Sequence, residues 1–164
     1  QVIRGQKSLT PMLQFADLKH HPESVSTIAE LGYRGWGEPD ASEAVAFLQR
    51  CLSAQTLPCT QIALFEGRLA GSISLLEHEM GDVQPVERRY WMGYLVVDPA
   101  LRGQGIGRQL MAHMQQVARE MGIEQVYCYT IDQAELYQFL GWMPLESLDY
   151  QGHRVTVMTR QLNP

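Results

Sequence analysis

Long apolar runs are missing from this sequence: none of its 164 residues belongs to a stretch approaching the ~20 needed to cross a bilayer. Residues 1–11 are polar and mixed, without the apolar stretch and small-residue cleavage site of a signal peptide. They are expected to be a leader or remnant outside the fold, leaving a single domain over 12–164, cytoplasmic and with no membrane partner. A basic stripe is also missing. Thirteen Lys and Arg stand against eighteen Asp and Glu, a net charge of −5, and apart from Arg88-Arg89 the positive residues are scattered. That excludes the electrostatic footprint of a nucleic-acid binder. Cysteine is scarce: Cys51, Cys59 and Cys128 are odd in number and widely spaced, which excludes a disulfide framework and a zinc ribbon and leaves free thiols. His20 and His21 are adjacent, cannot share a helix face, and have no further ligands at useful spacing, so no metal is expected. There is no internal repeat, low-complexity tract or interdomain linker.

What is present is globular: 45 % apolar and 19 % charged residues. The periods alternate between strand and helix. Met12 to Ala16 reads as a first strand. Pro22 stands at an early helical position, followed by Val25, Ile28, Ala29 and Leu31 on one face. A second helix follows a cap at Asp40 or Ser42. Thr60 to Phe65 and Arg68 to Glu77 flank Glu66-Gly67 as a hairpin. Tyr90 to Val97 is strongly apolar and reads as a central strand buried on both faces. Ile106, Leu110, Met114, Val117, Ala118 and Met121 form the stripe of the longest helix, over Gly105 to Met121. A strand at Val126 to Tyr129, a short helix at Gln133 to Leu140, and strands at Trp142 to Leu145 and Arg154 to Thr159 complete the chain. The order is β-αα-βββ-α-β-α-ββ, an α+β (layered α/β) fold with a central, mixed, mostly antiparallel sheet flanked by helices on both faces.

One segment carries chemistry. The strand ending at Asp98-Pro99 is followed by Arg102-Gly103-Gln104-Gly105-Ile106-Gly107-Arg108 and then a helix. The first N–H groups of a helix lack internal partners, and its dipole is positive there. Glycines let the backbone curl around an anion, and Arg102 and Arg108 add full charges. This pattern predicts a pyrophosphate site. A phosphate loop of the nucleotide-hydrolase kind would end in Gly-Lys-Ser/Thr, whereas Gly107 is followed by Arg108-Gln109. The dinucleotide fingerprint would need glycine where Arg108 stands.

Arg102-x-x-Gly105-x-Gly107 after an apolar strand resembles the acetyl-CoA motif of the GCN5-related N-acetyltransferase (GNAT) superfamily. Leu136-Tyr137-Gln138-Phe139-Leu140-Gly141-Trp142 is similar to that family's C-terminal Tyr-x-x-x-Gly-aromatic signature. The hairpin with Gly71, and the two-helix segment after the first strand, match as well, so the resemblance runs from about Met12 to Leu162. Asp132-Gln133 and the Trp91 strand look like a bacterial-type single-domain branch.

The resemblance implies transfer of an acetyl group from acetyl-CoA, a co-substrate, to a primary amine by direct attack in a ternary complex. The amine would belong to a small molecule or to a peptide or protein, and the chain would act as a monomer or homodimer. The coenzyme would lie against Arg102, Gly103, Gln104, Gly105, Ile106, Gly107 and Arg108, with its thioester oxygen at the backbone of Leu95, Val96 and Val97. Tyr137 matches the family's general acid for the departing thiolate. The base is less legible: Glu77, His78 and Glu79 at the end of the third strand, and Tyr94 on the central one, are candidates, as is a chain of waters. Trp36, Gly37 and Glu38 fall where the family's acceptor site is bordered. A module of the same fold that binds CoA without catalysis, or one taking a longer acyl-CoA, is compatible with the same loop.

Overall fold

Strand β1 (Leu13–Asp17) opens the structure, a computed structural model that describes residues 13–36 and 41–163 and, over 33–36, the backbone only. The expected leader 1–11 and the segment Gly37-Glu38 lie outside the described residues, as does the side chain of Trp36. Helix α1 (Val25–Trp36) is entered through a 3-10 turn over Pro22–Ser24. Pro22 therefore occupies the turn before the helix, where its fixed φ and missing N–H disturb nothing. Helix α2 (Ser42–Ser53) has Ala41 at its cap, with no side-chain capping bond; Ser42 is its first helical residue and Asp40 is outside the described residues.

Strands β2 (Cys59–Phe65) and β3 (Arg68–Leu76) form the expected hairpin. Glu66 and Gly67 both take left-handed φ values, 50° and 79°, as a two-residue turn matched to strand twist requires. The remaining elements are β4 (Trp91–Val97), α3 (Ile106–Glu120), β5 (Gln125–Thr130), α4 (Ala134–Phe139), β6 (Met143–Tyr150) and β7 (His153–Gln161). The last two strands are longer than their apolar residues suggest and meet at a tight turn over Gln151 and Gly152. β6 is an almost wholly exposed edge strand, so it has no buried face to impose alternation on its sequence.

The seven strands form one sheet, β1-β2-β3-β4-β5-β7-β6, antiparallel everywhere except between β4 and β5. Helix α3 covers one face, packing Leu110 and Met114 against Ile73, Leu75, Met92 and Val126. Helices α1 and α2 cover the other, packing Ile28, Phe47 and Leu48 against Leu18, Ile62 and Leu76. Met80, Trp91, Val155 and Val157 make a third cluster at the β5–β7 end.

Strand β4 departs from expectation. It is fully buried only at Trp91 and Met92, and beyond them it is half-open, with Tyr94 exposed. Two local features cause this. The register against β3 slips between Ser74↔Gly93 and Ser72↔Val96, so Tyr94 and Leu95 together oppose Ile73 as a bulge. Tyr94 takes φ 53°, the left-handed region that a bulge tolerates and a regular strand does not. On the other side β5 pairs with β4 only at Trp91↔Tyr127, where Tyr127 N–H donates to Tyr90 O at 2.9 Å. Past that point the parallel pair diverges, and the middle of the sheet is open.

Candidate active site

The opening between β4 and β5 is continued by a cleft of about 300 Å³ on the α3/α4 face. Its floor is Leu95 and Val97, one wall the loop from Leu101 to Arg108, and the other helix α4. The bulge sets the floor: it turns Tyr94 onto Phe47 of α2, ring centroids 4.4 Å apart, and returns Leu95 to the α3 side. Val96 then faces α1, its Cγ2 standing 3.5 Å from where a Cβ on Gly32 would be.

The loop has the geometry of an anion cradle. Asp98 Oδ1 accepts from Ala100 N–H at 2.9 Å and fixes a 3-10 turn over Pro99–Leu101. Gly105 is the cap of α3 with φ 79°, a conformation strained for any residue with a Cβ. The first intrahelical bond is Gln109 N–H to Gly105 O, so the N–H groups of the preceding turn point out of the helix into the cleft's end. No acidic residue stands in that first turn, and the exposed Arg102 and Arg108 border it. Positive dipole, free donors and two guanidinium groups fit a pyrophosphate.

Helix α4 presents Gln133, Leu136, Tyr137 and Leu140 to the cleft, a spacing of three, one and three residues that defines one helix face. Tyr137 is held from behind: Trp142 N–H donates to its carbonyl at 2.9 Å, and the two rings lie 6.1 Å apart. Burial first, and then the neighbouring Cys128 and Asp132, push its phenol up to about 12. It therefore keeps its proton across any physiological range and is a hydrogen-bond donor there.

Of the loop and floor residues expected from sequence, Leu95, Val97, Arg102, Gly103, Gly105, Ile106, Gly107 and Arg108 meet Tyr137 in this cleft. Gln104 is exposed and outside its lining, and Val96 is outside it too, its side chain facing Gly32 of α1. Glu77 does not join it. Its carboxylate accepts from Arg89 Nε and Nη2 at 2.9 and 2.8 Å, with His78 Nε2 at 3.8 Å. It lines a separate hollow beside Met121 and Ile123, past the far end of α3, roughly 22 Å along a 15-residue helix from the anion cradle.

Glu79 is placed differently. On the α1/α2 face it lies with Tyr94, Tyr129 and Tyr150, close enough that its charge helps, after burial, to raise the phenols of Tyr129 and Tyr150. Tyr129 and Tyr150 meet edge to face at 5.7 Å. Burial raises the Glu79 carboxyl, opposed only by a backbone hydrogen bond at Met80. Sequence reading missed Tyr129 and Tyr150. The period-two alternation Tyr127, Tyr129 marks one face of β5, but nothing local says that β4 leaves that face open. All three cysteines are free and buried, and burial pushes Cys59 and Cys128 up to about 12, so none is activated as a nucleophile. Among the described residues no group of three His, Cys, Asp or Glu side chains is disposed to hold a metal ion, and no helix is long and apolar enough to cross a membrane.

A family model described as acetyltransferase (GNAT) family matches residues 23–142. No curated protein matches the sequence significantly. Among solved structures, an aminoglycoside 6'-N-acetyltransferase complexed with coenzyme A superposes with a TM-score of 0.74 at 14 % identity, covering 92 % of this chain and 98 % of that one. YncA from Salmonella typhimurium, solved with its cofactor acetyl-CoA, gives 0.69 at 19 % identity, covering 94 % and 95 %. An acetyltransferase of the GNAT family from Streptococcus pneumoniae gives 0.66 at 16 % identity, covering 93 % and 100 %. At these identities the likeness is one of fold: a mixed seven-stranded sheet between helices.

Proposed function

The chain belongs to the GNAT acetyltransferase family, and from that premise we propose that it moves an acetyl group from acetyl-CoA to a primary amine by direct attack within a ternary complex. The observation carrying this reading is the divergence of β4 from β5 after Trp91↔Tyr127, a gap through which groups on opposite faces of the sheet would meet. On one face is the Tyr137 cleft with its anion cradle; on the other is the Glu79–Tyr94–Tyr129–Tyr150 group.

Each need of the reaction then has a residue. The first-turn N–H groups of α3, with Arg102 and Arg108, hold the pyrophosphate and so fix the donor's reach. Leu95 and Val97 give the pantetheine arm an apolar floor, and the β4 backbone over Leu95 to Val97 offers N–H groups in the gap where charge develops on the carbonyl oxygen. Bound acetyl-CoA supplies an acyl carbon activated as a thioester. The Tyr137 hydroxyl donates to the departing sulfur. Glu79 takes the proton from the attacking amine, directly or through water; its burial lifts the carboxyl toward working pH, where a general base is most effective. The tyrosines around Glu79 suit a cation, because aromatic faces and a carboxylate both attract an ammonium group.

The test is release of free CoA thiol from acetyl-CoA with a panel of amines and peptides, run beside calorimetric titration with CoA. Turnover on at least one amine, abolished by loss of Tyr137 or Glu79, supports the reading. Tight CoA binding with no turnover on any acceptor points instead to a non-catalytic binding module. Turnover only with longer acyl donors revises the acyl group alone.

A further inference from the structure

The segment 77–90 links β3 to β4 and carries Glu79. Its base is closed by Tyr90 N–H, which donates to Glu77 O at 2.9 Å. Met80 plugs it into the core, buried against Trp91, Val155 and Val157. Met80 also takes φ 55°, a left-handed conformation strained for a residue with a Cβ. Such strain persists only where the surroundings over-determine the backbone. Residues 81–89 belong to no strand or helix, and only Gln84 among them is buried.

Gln84 is where this loop is tied down. Its side chain is 8 % exposed, and both ends of its amide are bonded. Nε2 donates to Val83 O at 3.0 Å and to Glu146 Oε1, on β6, at 2.8 Å. Oε1 accepts from Arg88 Nη1 at 2.7 Å, and the same nitrogen donates to Glu146 Oε1 at 3.1 Å. Arg88 is held from behind, since Trp91 Nε1 donates to its carbonyl at 2.6 Å. A loop that needed only solubility would leave the amide in water, because burying it costs unless its groups are bonded.

A bulge in β6 aims Glu146 at this point. Pro144 pairs with Met158 and Glu146 with Val157, so Leu145 is an extra residue. In a regular ladder Glu146 would share the face of Met158, which belongs to the α3 core. The bulge moves it to the Val157 face, with Leu148 and Tyr150 following at period two. Glu146 therefore stands on the face where Tyr129 and Tyr150 meet Glu79. The Gln84 hydrogen bond and then the Arg88 charge, against desolvation, hold its carboxyl below the usual glutamate value. It stays ionised where the raised Glu79 titrates.

Resting on the acetyl-transfer reading above, we propose that Gln84, Arg88 and Glu146 are a latch that holds the Glu79 loop against the tyrosine face, with Glu146 a positioning residue for the base. None of the three touches the reacting atoms. With the latch cut, Met80 relaxes from its strained φ. Glu79 then moves away from the groups around it: Tyr94 of β4, Tyr129 of β5, Tyr150 of β6 and Asp82 of the loop itself. Its carboxyl gains water and loses the burial that raises it.

The experiment follows the Glu79 carboxyl by carbon NMR across a pH titration of the full chain, its signal identified by its absence in Glu79→Gln. Rates with an amine that turns over and calorimetric titration with CoA accompany it. Glu146→Ala is expected to bring the Glu79 midpoint down toward the ordinary glutamate value. It should lower kcat/KM at least about tenfold, since a displacement of about 1 Å costs up to ~100-fold. CoA affinity should hold within twofold, because the donor cleft lies on the other face. Glu146→Gln keeps an oxygen for Gln84 and Arg88 and should stay within about threefold of wild type. Arg154→Ala, which breaks an exposed pair with Asp149 on the same hairpin, should change neither readout. A Glu79 midpoint that does not move in Glu146→Ala, or a kcat/KM within twofold of wild type, overturns the proposal. So does an equal fall in CoA affinity, which marks a general loss of structure. A wild-type chain that turns over no amine sinks the transfer reading and the latch's role with it; normal wild-type turnover beside an unaffected Glu146→Ala sinks the latch alone.

Discussion

Replacing Gly71 with alanine probes the contact that positions β4, and its cost follows from one distance. A Cβ at Gly71 would sit 2.3 Å from the carbonyl oxygen of Val96, 3.1 Å from Leu110 Cδ1 and 3.3 Å from Val97 Cα. Ordinary contact begins near 3.4 Å, so β3 and β4 would have to part by about 1 Å. Leu110 of α3 could adjust; the Val96 oxygen is backbone and could not move without its strand. The Gly71↔Val97 and Ser72↔Val96 pairing would loosen, along with the 2.8 Å bond from Asp98 N–H to Ala70 O. Overpacking costs about 1–3 kcal/mol and each weakened ladder bond up to about 1 kcal/mol, for a total near 3 kcal/mol. In a domain of this size that lowers the melting temperature by about 6–12 °C. Calorimetric melts at pH 7 would show it, with Gly93→Ala as the control. There a Cβ meets only Leu76 Cδ1, at 3.9 Å, and the melt should stay within a few degrees of wild type. Weaker CoA binding should accompany the Gly71→Ala loss, because Val97 is cleft floor. A Gly71→Ala variant that melts within 2 °C of wild type would refute the argument that β3 and β4 cannot separate here.

Arg102→Ala and Arg108→Ala should each weaken CoA by about 10- to 100-fold, as expected for a charge-assisted hydrogen bond, with the deficit shrinking at high salt; titration at two ionic strengths checks this. Tyr137→Phe should lower kcat at least about tenfold while the affinity for CoA holds, since only the hydroxyl is lost. With its phenol pushed up to about 12, wild type should show no alkaline limb from Tyr137 below roughly pH 11; a rate profile from pH 6 to 10 tests it. Burial raises the Glu79 carboxyl, so its basic form is lost earlier as pH falls than an ordinary glutamate's. The acid limb of kcat/KM should therefore lie above the usual carboxylate range, and Glu79→Gln should remove it along with most of the rate, whereas Glu77→Gln should leave kcat/KM within twofold.

The legible parts of this protein are those written in local chemistry. The glycines and arginines of 102–108 show an anion cradle because a helix N-terminus has free donors wherever it occurs. The strand and helix order follows from apolar period, and the Glu66-Gly67 turn from the backbone that two residues must adopt. Tyr137 is marked by its setting in the Leu136 to Trp142 signature. All of these were readable without knowing what lies beside them. β6 was only partly readable, since an exposed edge strand is under no pressure to alternate. The opening of the sheet was not readable at all. It depends on the bulge at Tyr94 and on β5, some thirty residues later, pairing with β4 at one position and then turning away. That divergence is a property of two strands together. It decides that Tyr94, Tyr129 and Tyr150 gather with Glu79, that Glu77 stays behind in its ion pair with Arg89, and that Leu95 and Val97 face the α3/α4 cleft while Val96 faces α1. Sequence determined where a helix end with glycines and arginines could hold an anion, because that needs one helix end; tertiary structure decided which carboxylate and which phenols stand together on the α1/α2 face, because that needs several strands and a loop brought together.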